Sequence, residues 1–299
     1  MVIELSTSQG FLFPGQGVQS VGMSADVRDE PKARRIFARA EGILDFGFLE
    51  LISEGPEDEL NSTANAQPAI FVDGIARNVL LTERGYRPDL IVGHSLGEFT
   101  GLTAAGVLSF EDGLRLVRKR GELTSSVNSE GSMLAVLGLG REVVEELIGL
   151  TNGEVTVANY NSPKQVVLSG SKDGLDRAGQ RARQRGGKTI QLDVSGPFHS
   201  PLMSHVEKEL SRVIDEYTFN DPDVPIISSV SGTPVRDGST IKSQIKRQMT
   251  GSVDWVAYVH KMIELGIETT IEVGPDSTLK NLTRRVSTNI DNKSFHEVY

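Results

Sequence analysis

The chain has 299 residues, with 31 lysines and arginines against 40 aspartates and glutamates, so its formal net charge at pH 7 is −9. This acidic balance argues against a nucleic-acid partner, and the absence of cysteine excludes disulfides, thiolate-ligated zinc and thiol nucleophiles. No apolar run approaches the roughly 18 residues of a membrane span, and the N-terminus lacks the pattern of a signal peptide. We therefore expect a cytoplasmic monomer with no membrane partner and no bound metal.

Strands and helices alternate along the first part of the chain. The stretch Gly10–Gly17 predicts a short strand that ends in a Pro-Gly turn, and Ala66–Gly85 predicts a helix closed by its glycine. A strand at Leu90–Val92 leads into a helix that runs to Ala105, and Ser109–Leu123 predicts a further helix capped by its first serine. This alternation indicates an α/β fold with a parallel sheet.

The middle of the chain has a different pattern. Residues from Gly131 to Ser195 predict strand, helix, strand, strand, helix and strand, which is the order of the ferredoxin-like motif. The chain then returns to helices separated by the short strands "PIISSV" and "ETTIEVG". We therefore expect a small ferredoxin-like subdomain over residues 130–195. It would be inserted into a large α/β-hydrolase-like domain with a parallel sheet, formed by residues 1–129 and 196–299.

The segment Gly93-His94-Ser95-Leu96-Gly97 places a lone serine near two glycines, after a buried strand and before a helix. This is the pattern of a nucleophile elbow, whose sharp turn tolerates only small neighbours and presents the serine hydroxyl above the sheet. The N–H of Leu96, at the start of the helix, would be placed to donate to an oxyanion. The alternative interpretation is a tight turn with an inert serine.

A serine nucleophile needs a base, and the chain has five histidines. His199 lies in the loop "GPFHSP", which predicts the start of a helix with Ser200 as its N-cap. The helix N-terminus disfavours the imidazolium, so His199 would stay neutral and able to accept a proton. The other histidines adjoin the serine, lie in helical patterns or belong to the tail. His199 is therefore the candidate base, against the alternative of a structural histidine.

Arg120 falls on the apolar side of its predicted helix. At about 100° per residue it lies among Leu116, Val117 and Leu123, whereas Arg118 and other charged residues share the opposite face. A buried guanidinium needs an anionic partner. That partner is either a core carboxylate, which would make Arg120 structural, or the carboxylate or phosphate of a ligand.

Several stretches resemble a known family in content and in order: "LFPGQGVQSVGM", "AQPAIF", "GHSLGEFTGLTAAGVLSFEDGLRLVRKRG", "NYNSPKQVVLSG", "VSGPFHSPLM" and "IEVGP". Together they resemble the malonyl-CoA:acyl carrier protein transacylases, including the free-standing acyltransferases of polyketide synthases. The resemblance extends over nearly the whole chain. It implies an enzyme of fatty-acid or polyketide biosynthesis that moves malonyl from malonyl-CoA to the phosphopantetheine thiol of an acyl carrier protein, without a cofactor.

The resemblance also implies the catalytic residues. Ser95 matches the family's nucleophile, His199 its base, and Arg120 the arginine that holds the malonyl carboxylate. In the family a backbone carbonyl holds the second nitrogen of the base, so no aspartate is required. Family members often have Asn-Pro-Val before a late tryptophan, and "GSVDW" at Gly251–Trp255 departs from that pattern. Which carbonyl holds His199 therefore stays open.

The remaining matches concern the oxyanion hole and the cleft. Backbone N–H groups of Gln16 and Leu96 match the family's oxyanion donors, and Gln67 and Asn161 match polar residues of its cleft. Malonyl-type members tend to have an aliphatic residue after the serine and phenylalanine before the histidine, as Leu96 and Phe198 are here. Phe198 would crowd a methyl group on the α-carbon, so the resemblance implies malonyl as the acyl group.

Two other functions stay open. One is an acyl hydrolase that unloads carrier proteins with the same serine and histidine. The other is a non-catalytic module that docks carrier proteins. Retention of Ser95 and His199 argues against the module, and Arg120 argues against a hydrolase of monocarboxylic acyl groups, which would bury its charge unpaired.

An acidic carrier protein would need a local basic patch on this acidic chain. Arg177, Arg181 and Arg185 are spaced by four residues in a predicted helix and share one face. Arg284 and Arg285 form a second candidate patch. The alternative for the first patch is a solvated helix face with no partner.

Overall fold

The structure is a computed structural model that describes residues 8–127 and 131–299. Its strands are, in chain order, β1 (Gln9–Phe13), β2 (Leu90–Gly93), β3 (Gly131–Leu137), β4 (Val155–Ser162), β5 (Gln165–Ser171), β6 (Lys188–Gln191), β7 (Ile226–Ile227), β8 (Pro234–Val235), β9 (Val253–Asp254), β10 (Thr269–Glu272) and β11 (Asp291–Ser294). Its α-helices are α1 (Pro31–Leu44), α2 (Phe48–Glu54), α3 (Glu57–Asn61), α4 (Thr63–Glu83), α5 (Leu96–Ala104), α6 (Phe110–Ser125), α7 (Arg141–Gly149), α8 (Lys172–Gln184), α9 (Ser204–Asp215), α10 (Gly238–Ile245), α11 (Trp255–Glu264), α12 (Thr278–Val286) and α13 (Phe295–Val298). None of the helices in these ranges combines the length and the apolar composition that a membrane span requires.

The larger sheet has six strands in the order β11-β10-β1-β2-β7-β8. The strands from β11 to β7 run parallel, and the short edge strand β8 is antiparallel to β7. The predicted α/β fold is therefore confirmed. The sheet is mixed rather than parallel throughout, because the chain turns back after β7 and pairs Val235 with Ile226.

The central strands β1 and β2 are buried on both faces. Phe13 belongs to the apolar cluster on one face, whereas Leu12 and Val92 belong to the cluster on the other, together with Trp255. Burial on both sides explains why these strands are continuous apolar runs in the sequence. Phe13 pairs with Gly93, so the two strands end level. The loops that follow them therefore start side by side at one edge of the sheet.

The smaller sheet has five strands in the order β6-β3-β5-β4-β9. The strands β3 to β6 pair antiparallel, and with α7 and α8 they follow one another in the predicted order. The fifth strand, β9, comes from a segment beyond residue 195 and pairs parallel with β4. This sheet thus includes a strand from outside the segment 130–195, because β9 of the C-terminal part of the chain pairs with β4.

The two faces of the smaller sheet have different neighbours. Helices α7 and α8 contribute to the apolar cluster on one face. The other face carries Met133, Ala158 and Val167, and Phe198 packs against them. The second face therefore meets the segment that carries His199.

Helices α4 and α6 approach each other closely. Pro68 lies inside α4 and has no N–H, so the carbonyl of Ala64 loses its helical donor. Arg118 of α6 donates to that carbonyl at 2.8 Å. A Cβ at Gly121 would lie 2.9 Å from the carbonyl oxygen of Thr63, so only glycine permits this spacing. The proline and the glycine together fix the distance between the two helices.

Candidate active site

Ser95 stands in a strained turn at the end of β2. Its backbone has φ 53° and ψ −108°, outside the regions that serine normally adopts. A Cβ at Gly93 would lie 2.1 Å from the backbone N of Glu98, and a Cβ at Gly97 would lie 1.9 Å from the carbonyl oxygen of Phe13. Only glycine fits at both positions, so this strand, turn and helix have the geometry predicted for a nucleophile elbow.

His199 is the histidine that reaches Ser95. Its Nε2 lies 2.8 Å from the serine hydroxyl oxygen. Its Nδ1 lies 2.8 Å from the carbonyl oxygen of Gly251 and 3.2 Å from that of Gln248. Because a carbonyl only accepts, Nδ1 carries the proton and Nε2 is free to accept the serine proton. The carbonyl partner that the sequence left open is therefore Gly251, with Gln248 as a second acceptor.

Burial keeps His199 neutral. The residue is 4% exposed, and burial is the main cause that lowers its pKa from 6.5 to about 4, with the positive charge of Arg120 as the second cause. The sequence predicted a neutral His199 from a nearby helix N-terminus, whereas burial is the main cause in the structure. Ser200 makes no cap bond, since its hydroxyl donates to the carbonyl of Pro197 at 2.6 Å. Only the 3₁₀ turn Pro201–Met203 follows before α9.

The backbone N–H groups of Gln16 and Leu96 have no acceptor among the described residues. Leu96 begins α5, and the first N–H groups of a helix lack partners within the helix. The loop that carries Gln16 packs against the elbow, since a Cβ at Gly15 would lie 2.6 Å from the carbonyl oxygen of His94. Both predicted oxyanion donors therefore have a free N–H group among the described residues, and they follow the neighbouring strands β1 and β2.

Arg120 is buried beside Ser95, as its helical phase predicts. It is 3% exposed. Its Nη1 donates to Gln67 Oε1 at 2.8 Å, and its Nη2 donates to the hydroxyl of Ser95 at 3.1 Å and to Gln248 Oε1 at 3.2 Å. All three partners are uncharged, and Nε has no acceptor in the parts of the chain that the structure describes. Burial lowers the pKa of Arg120 from 12.5 to about 10, so it remains a cation at neutral pH with a free donor.

Ser95 and His199 line a cleft of about 1050 Å³, a volume at the upper end for small-molecule sites. Its wall also includes Gln16, Met133, Asn159 and Phe198. Across the cleft the hydroxyl of Thr63 lies 3.0 Å from that of Ser195, which joins the start of α4 to the segment after β6. Over residues 8–127 and 131–299, no group of three or more His, Asp or Glu side chains is placed to hold a metal ion.

Asn161 lies beside the elbow, next to the main cleft. Its Oδ1 lies 2.9 Å from Nε2 of His94, and it lines a smaller neighbouring cavity of about 310 Å³. The register of β4 shifts between Tyr160 and Ser162, so Asn161 is the extra residue of a β-bulge and leaves the regular alternation. Asn159, two residues earlier, lines the main cleft.

The three arginines in and directly after α8 contact α7 and the segment that joins α7 to β4. Arg177 pairs with Glu154. Arg185 pairs with Glu146 at 2.8 Å, and Arg181 donates to a backbone carbonyl at 3.0 Å. Neighbouring acids therefore offset much of the positive charge of this face.

Arg284 and Arg285 lie in the last turn of α12 and are exposed. Arg285 donates to Gln165 Oε1 at 2.8 Å and lines the smaller cavity. Gln16 and His94 line both cavities. Arg285 therefore borders the cleft region, whereas Arg177, Arg181 and Arg185 line neither cavity.

Sequence reasoning missed several residues of the site, namely Gln248, Glu98, Thr63 and Asn159. Glu98 had a usable signal, because it follows Ser95 by three residues and so returns to the same side of α5. Gln248 and Thr63 come from segments far from the serine in sequence, and no local pattern indicates their approach.

Comparison with known proteins gives consistent relationships along nearly the whole chain. The family model described as acyl transferase domain matches residues 10–298. The malonyl CoA-acyl carrier protein transacylase of Bacillus subtilis (strain 168) is 40% identical over 284 residues, which is 93% of this chain and 90% of the relative. The solved acyl-carrier-protein S-malonyltransferase from Burkholderia pseudomallei 1710b has a TM-score of 0.94 at 34% identity, covering 97% of this chain and 99% of that one. A malonyl-transacylase solved in complex with a type II PKS acyl carrier protein has a TM-score of 0.93 at 32% identity over 96% of both chains. The chain therefore belongs to the malonyl-CoA:acyl carrier protein transacylase family of acyltransferases.

Proposed function

We propose that this chain transfers malonyl from malonyl-CoA to the phosphopantetheine thiol of an acyl carrier protein through a malonyl-serine intermediate. The observation that carries the proposal is the 3.1 Å contact between the buried guanidinium of Arg120 and the hydroxyl of Ser95, which lies 2.8 Å from His199. A nucleophile with its base thus stands beside a buried cation whose partners are uncharged. This combination fits an acyl group that ends in a carboxylate.

In the first half-reaction the Ser95 oxygen attacks the thioester carbonyl carbon of malonyl-CoA, and its proton passes to Nε2 of His199. The N–H groups of Gln16 and Leu96 donate to the oxyanion of the tetrahedral intermediate, and one such donor typically contributes about 3 kcal/mol. The C–S bond then breaks, and the CoA sulfur leaves with the proton that His199 held.

In the second half-reaction the phosphopantetheine thiol gives its proton to His199 and attacks the malonyl-serine ester. The C–O bond breaks, His199 returns the proton to the Ser95 oxygen, and malonyl leaves as a thioester on the carrier protein.

Arg120 would hold the malonyl carboxylate through its free Nε and the adjoining Nη groups, because a guanidinium binds a carboxylate with two parallel hydrogen bonds. Gln67, which accepts from Nη1 at 2.8 Å, would keep the guanidinium turned toward Ser95. Phe198 lines the cleft and would crowd a substituent on the α-carbon. These contacts support malonyl rather than a branched or monocarboxylic acyl group.

The proposal includes a division of the chain. The antiparallel order β6-β3-β5-β4 supports a ferredoxin-like subdomain over residues 130–195. The six-stranded sheet with its elbow after β2 supports an α/β-hydrolase-like domain over residues 1–129 and 196–299. The cleft would lie between them, since Met133 and Asn159 line it from one side and Ser95 from the other.

An acyl hydrolase that uses the same serine and histidine is the alternative. A monocarboxylic acyl group would leave the buried charge of Arg120 without an anion. We therefore favour transfer of a dicarboxylic acyl group.

Brief exposure of the protein to malonyl-CoA should add one malonyl group to Ser95, since this hydroxyl has both a base and oxyanion donors. Addition of a phosphopantetheinylated acyl carrier protein should then remove the adduct and load the carrier in equal amount. Intact-mass spectrometry follows both steps, and peptide mapping locates the adduct. The control is carrier protein without its phosphopantetheine, which should leave the adduct in place. Release of free malonate in place of transfer would identify a hydrolase.

We place the carrier-protein dock at Arg284 and Arg285 in preference to the α8 arginines. Arg285 lines a cavity next to the cleft, whereas Arg177 and Arg185 already pair with glutamates. An acidic partner gains most from a positive patch that is near the site and not offset by local acids.

Reversing Arg284 and Arg285 to glutamate should slow transfer to carrier protein by about tenfold, because steering by charge typically changes association by about 10-fold or more. Transfer to free pantetheine should keep its rate. The matched control is the same double reversal at Arg177 and Arg181, which should have the smaller effect. Equal slowing with both acceptors, or a larger effect of the control, would place the dock elsewhere.

A further inference from the structure

Glu98 is a buried carboxylate that the steps above do not use. It lies in the first turn of α5 and is 3% exposed. Its Oε1 accepts from the N–H of Ser229 at 3.1 Å, and its Oε2 accepts from the hydroxyl of Ser229 and from Gln248 Nε2, the latter at 2.6 Å. All these donors are neutral, so within residues 8–127 and 131–299 the carboxylate has hydrogen bonds but no cation in contact with it.

These bonds fix the orientation of the Gln248 amide. Its Nε2 donates both to Glu98 and to the carbonyl of Ser95, the second bond at 2.9 Å. A carboxylate and a carbonyl can only accept, so the amide nitrogen must face them. The amide oxygen consequently faces the opposite way, where it accepts from Arg120 Nη2 at 3.2 Å.

Gln248 also supports the base through its backbone. Its carbonyl oxygen lies 3.2 Å from Nδ1 of His199. One residue thus contacts the nucleophile, the base and the arginine, and Glu98 and the Ser95 carbonyl together fix its side chain.

Glu98 and Arg120 also compensate each other's charge at a distance. Burial raises the pKa of Glu98 and lowers that of Arg120, and in both groups the opposite charge of the other counteracts the shift. The Gln248 amide stands between them. A direct ion pair would occupy the donors of Arg120, whereas a carboxylate one amide away stabilises the cation and leaves Nε free among the described residues.

We propose that Glu98 is a positioning residue that orients Arg120 toward carboxylate-bearing acyl groups by holding the Gln248 amide. The inference rests on the proposed function, because it explains how that same site selects malonyl. With glutamine at position 98, an amide oxygen or nitrogen can face Gln248. Only the Ser95 carbonyl then still requires the amide nitrogen on its side. The Gln248 amide is therefore freer to turn over and present N–H groups to Arg120, which removes an acceptor from the guanidinium.

The test compares the second-order rate constants for acylation of Ser95 by malonyl-CoA and by acetyl-CoA, in wild type and in Glu98→Gln. Intact mass measures each rate. The malonyl rate should fall by about tenfold or more, the scale of a lost hydrogen bond to a charged group. The acetyl rate should change by less than about threefold, so the malonyl-to-acetyl ratio falls.

Glu272→Gln is the matched control. It makes the same change at another buried glutamate, whose carboxylate accepts the backbone N–H groups of Leu279 and Lys280 at the start of α12. If this variant is destabilised, both acyl groups should be affected alike, so the ratio should stay at its wild-type value. A ratio that falls equally in the control would show that Glu98 acts only through stability.

Gln248→Ala tests whether Glu98 acts on Arg120 through the Gln248 amide. The variant keeps the backbone carbonyl that faces His199. This variant should itself lower the malonyl-to-acetyl ratio, and adding Glu98→Gln to it should change the ratio by less than about twofold. An unchanged ratio in Gln248→Ala overturns the inference even if Glu98→Gln fails to fold. A wild type that forms no malonyl-Ser95 overturns the proposed function as well, whereas a normal wild type with an unchanged ratio in both variants overturns this inference alone.

Discussion

Replacing His199 by alanine should lower the rate of Ser95 acylation by malonyl-CoA by about 10²- to 10⁴-fold, the usual contribution of a general base. The imidazole Nε2 lies 2.8 Å from the hydroxyl that must lose its proton. The neighbouring His94 cannot replace it, because its Nε2 is bonded to Asn161 at 2.9 Å. Intact-mass measurement of the acylated fraction against time gives the rate.

His205→Ala and His260→Ala are the controls for this experiment. Both histidines are exposed and lie on helices outside the cleft wall, so each change should leave the rate within about twofold of wild type, as is usual for surface positions. Equal small effects of all three substitutions would show that His199 is not the base.

The pH dependence of the wild type reports the same group. A base must be unprotonated, and the pKa of His199 is about 4. The value of kcat/KM should therefore be level near neutral pH and fall as the pH drops through about 4, since kcat/KM reports the free enzyme. Arg120→Gln removes a positive charge that lowers this pKa, so it should move the inflection to higher pH. An inflection at the ordinary value of 6.5 would contradict the burial of His199.

Arg120→Ala should lower the specificity constant for malonyl-CoA by about 30- to 5,000-fold. Truncating one member of a buried charge pair typically costs about 2–5 kcal/mol, and about 1.4 kcal/mol corresponds to a factor of ten. Acetyl-CoA carries no carboxylate for the arginine to bind, so its rate should stay level or rise. The measured quantity is the malonyl-to-acetyl ratio of acylation rates.

Arg120→Lys separates charge from geometry. A lysine keeps the charge but lacks the planar fork that binds both carboxylate oxygens, so it should restore the ratio only in part. An unchanged ratio in Arg120→Ala, together with a lower melting temperature, would make Arg120 a structural residue and would place malonyl selection elsewhere.

The parts of the site that the sequence predicted depend on local constraints. The elbow could be recognised because Gly93 and Gly97 have no room for a Cβ. This requirement puts a glycine two residues before and two residues after Ser95 in the sequence. Arg120 could be recognised because helical periodicity places it among apolar neighbours, and the structure buries it there. The pattern could not identify its partners.

The missed parts depend on contacts between distant segments. Gln248 reaches Ser95 across 153 positions of sequence, and β9 pairs with β4 over only two residues, too few for a strand pattern. The β-bulges of β4 also left no sign in the sequence, although they set where the side chains of Asn159 and Asn161 lie. Helices α1 to α3 were not predicted because none of them begins with a side-chain cap, and α2 and α3 have only 7 and 5 residues.

The close contact between α4 and α6 has a consequence for changing the acyl group. Pro68 frees the carbonyl that Arg118 binds, and Pro68 directly follows Gln67, the residue that contacts Arg120. The contact that joins α4 and α6 and the side chains that would recognise the carboxylate therefore lie on the same two helices, within one turn of α4. Exchanging a single side chain on these helices would alter the chemistry of the pocket but leave the distance between α4 and α6 unchanged. A new acyl class of different length would be reached by transplanting both helices as a matched pair.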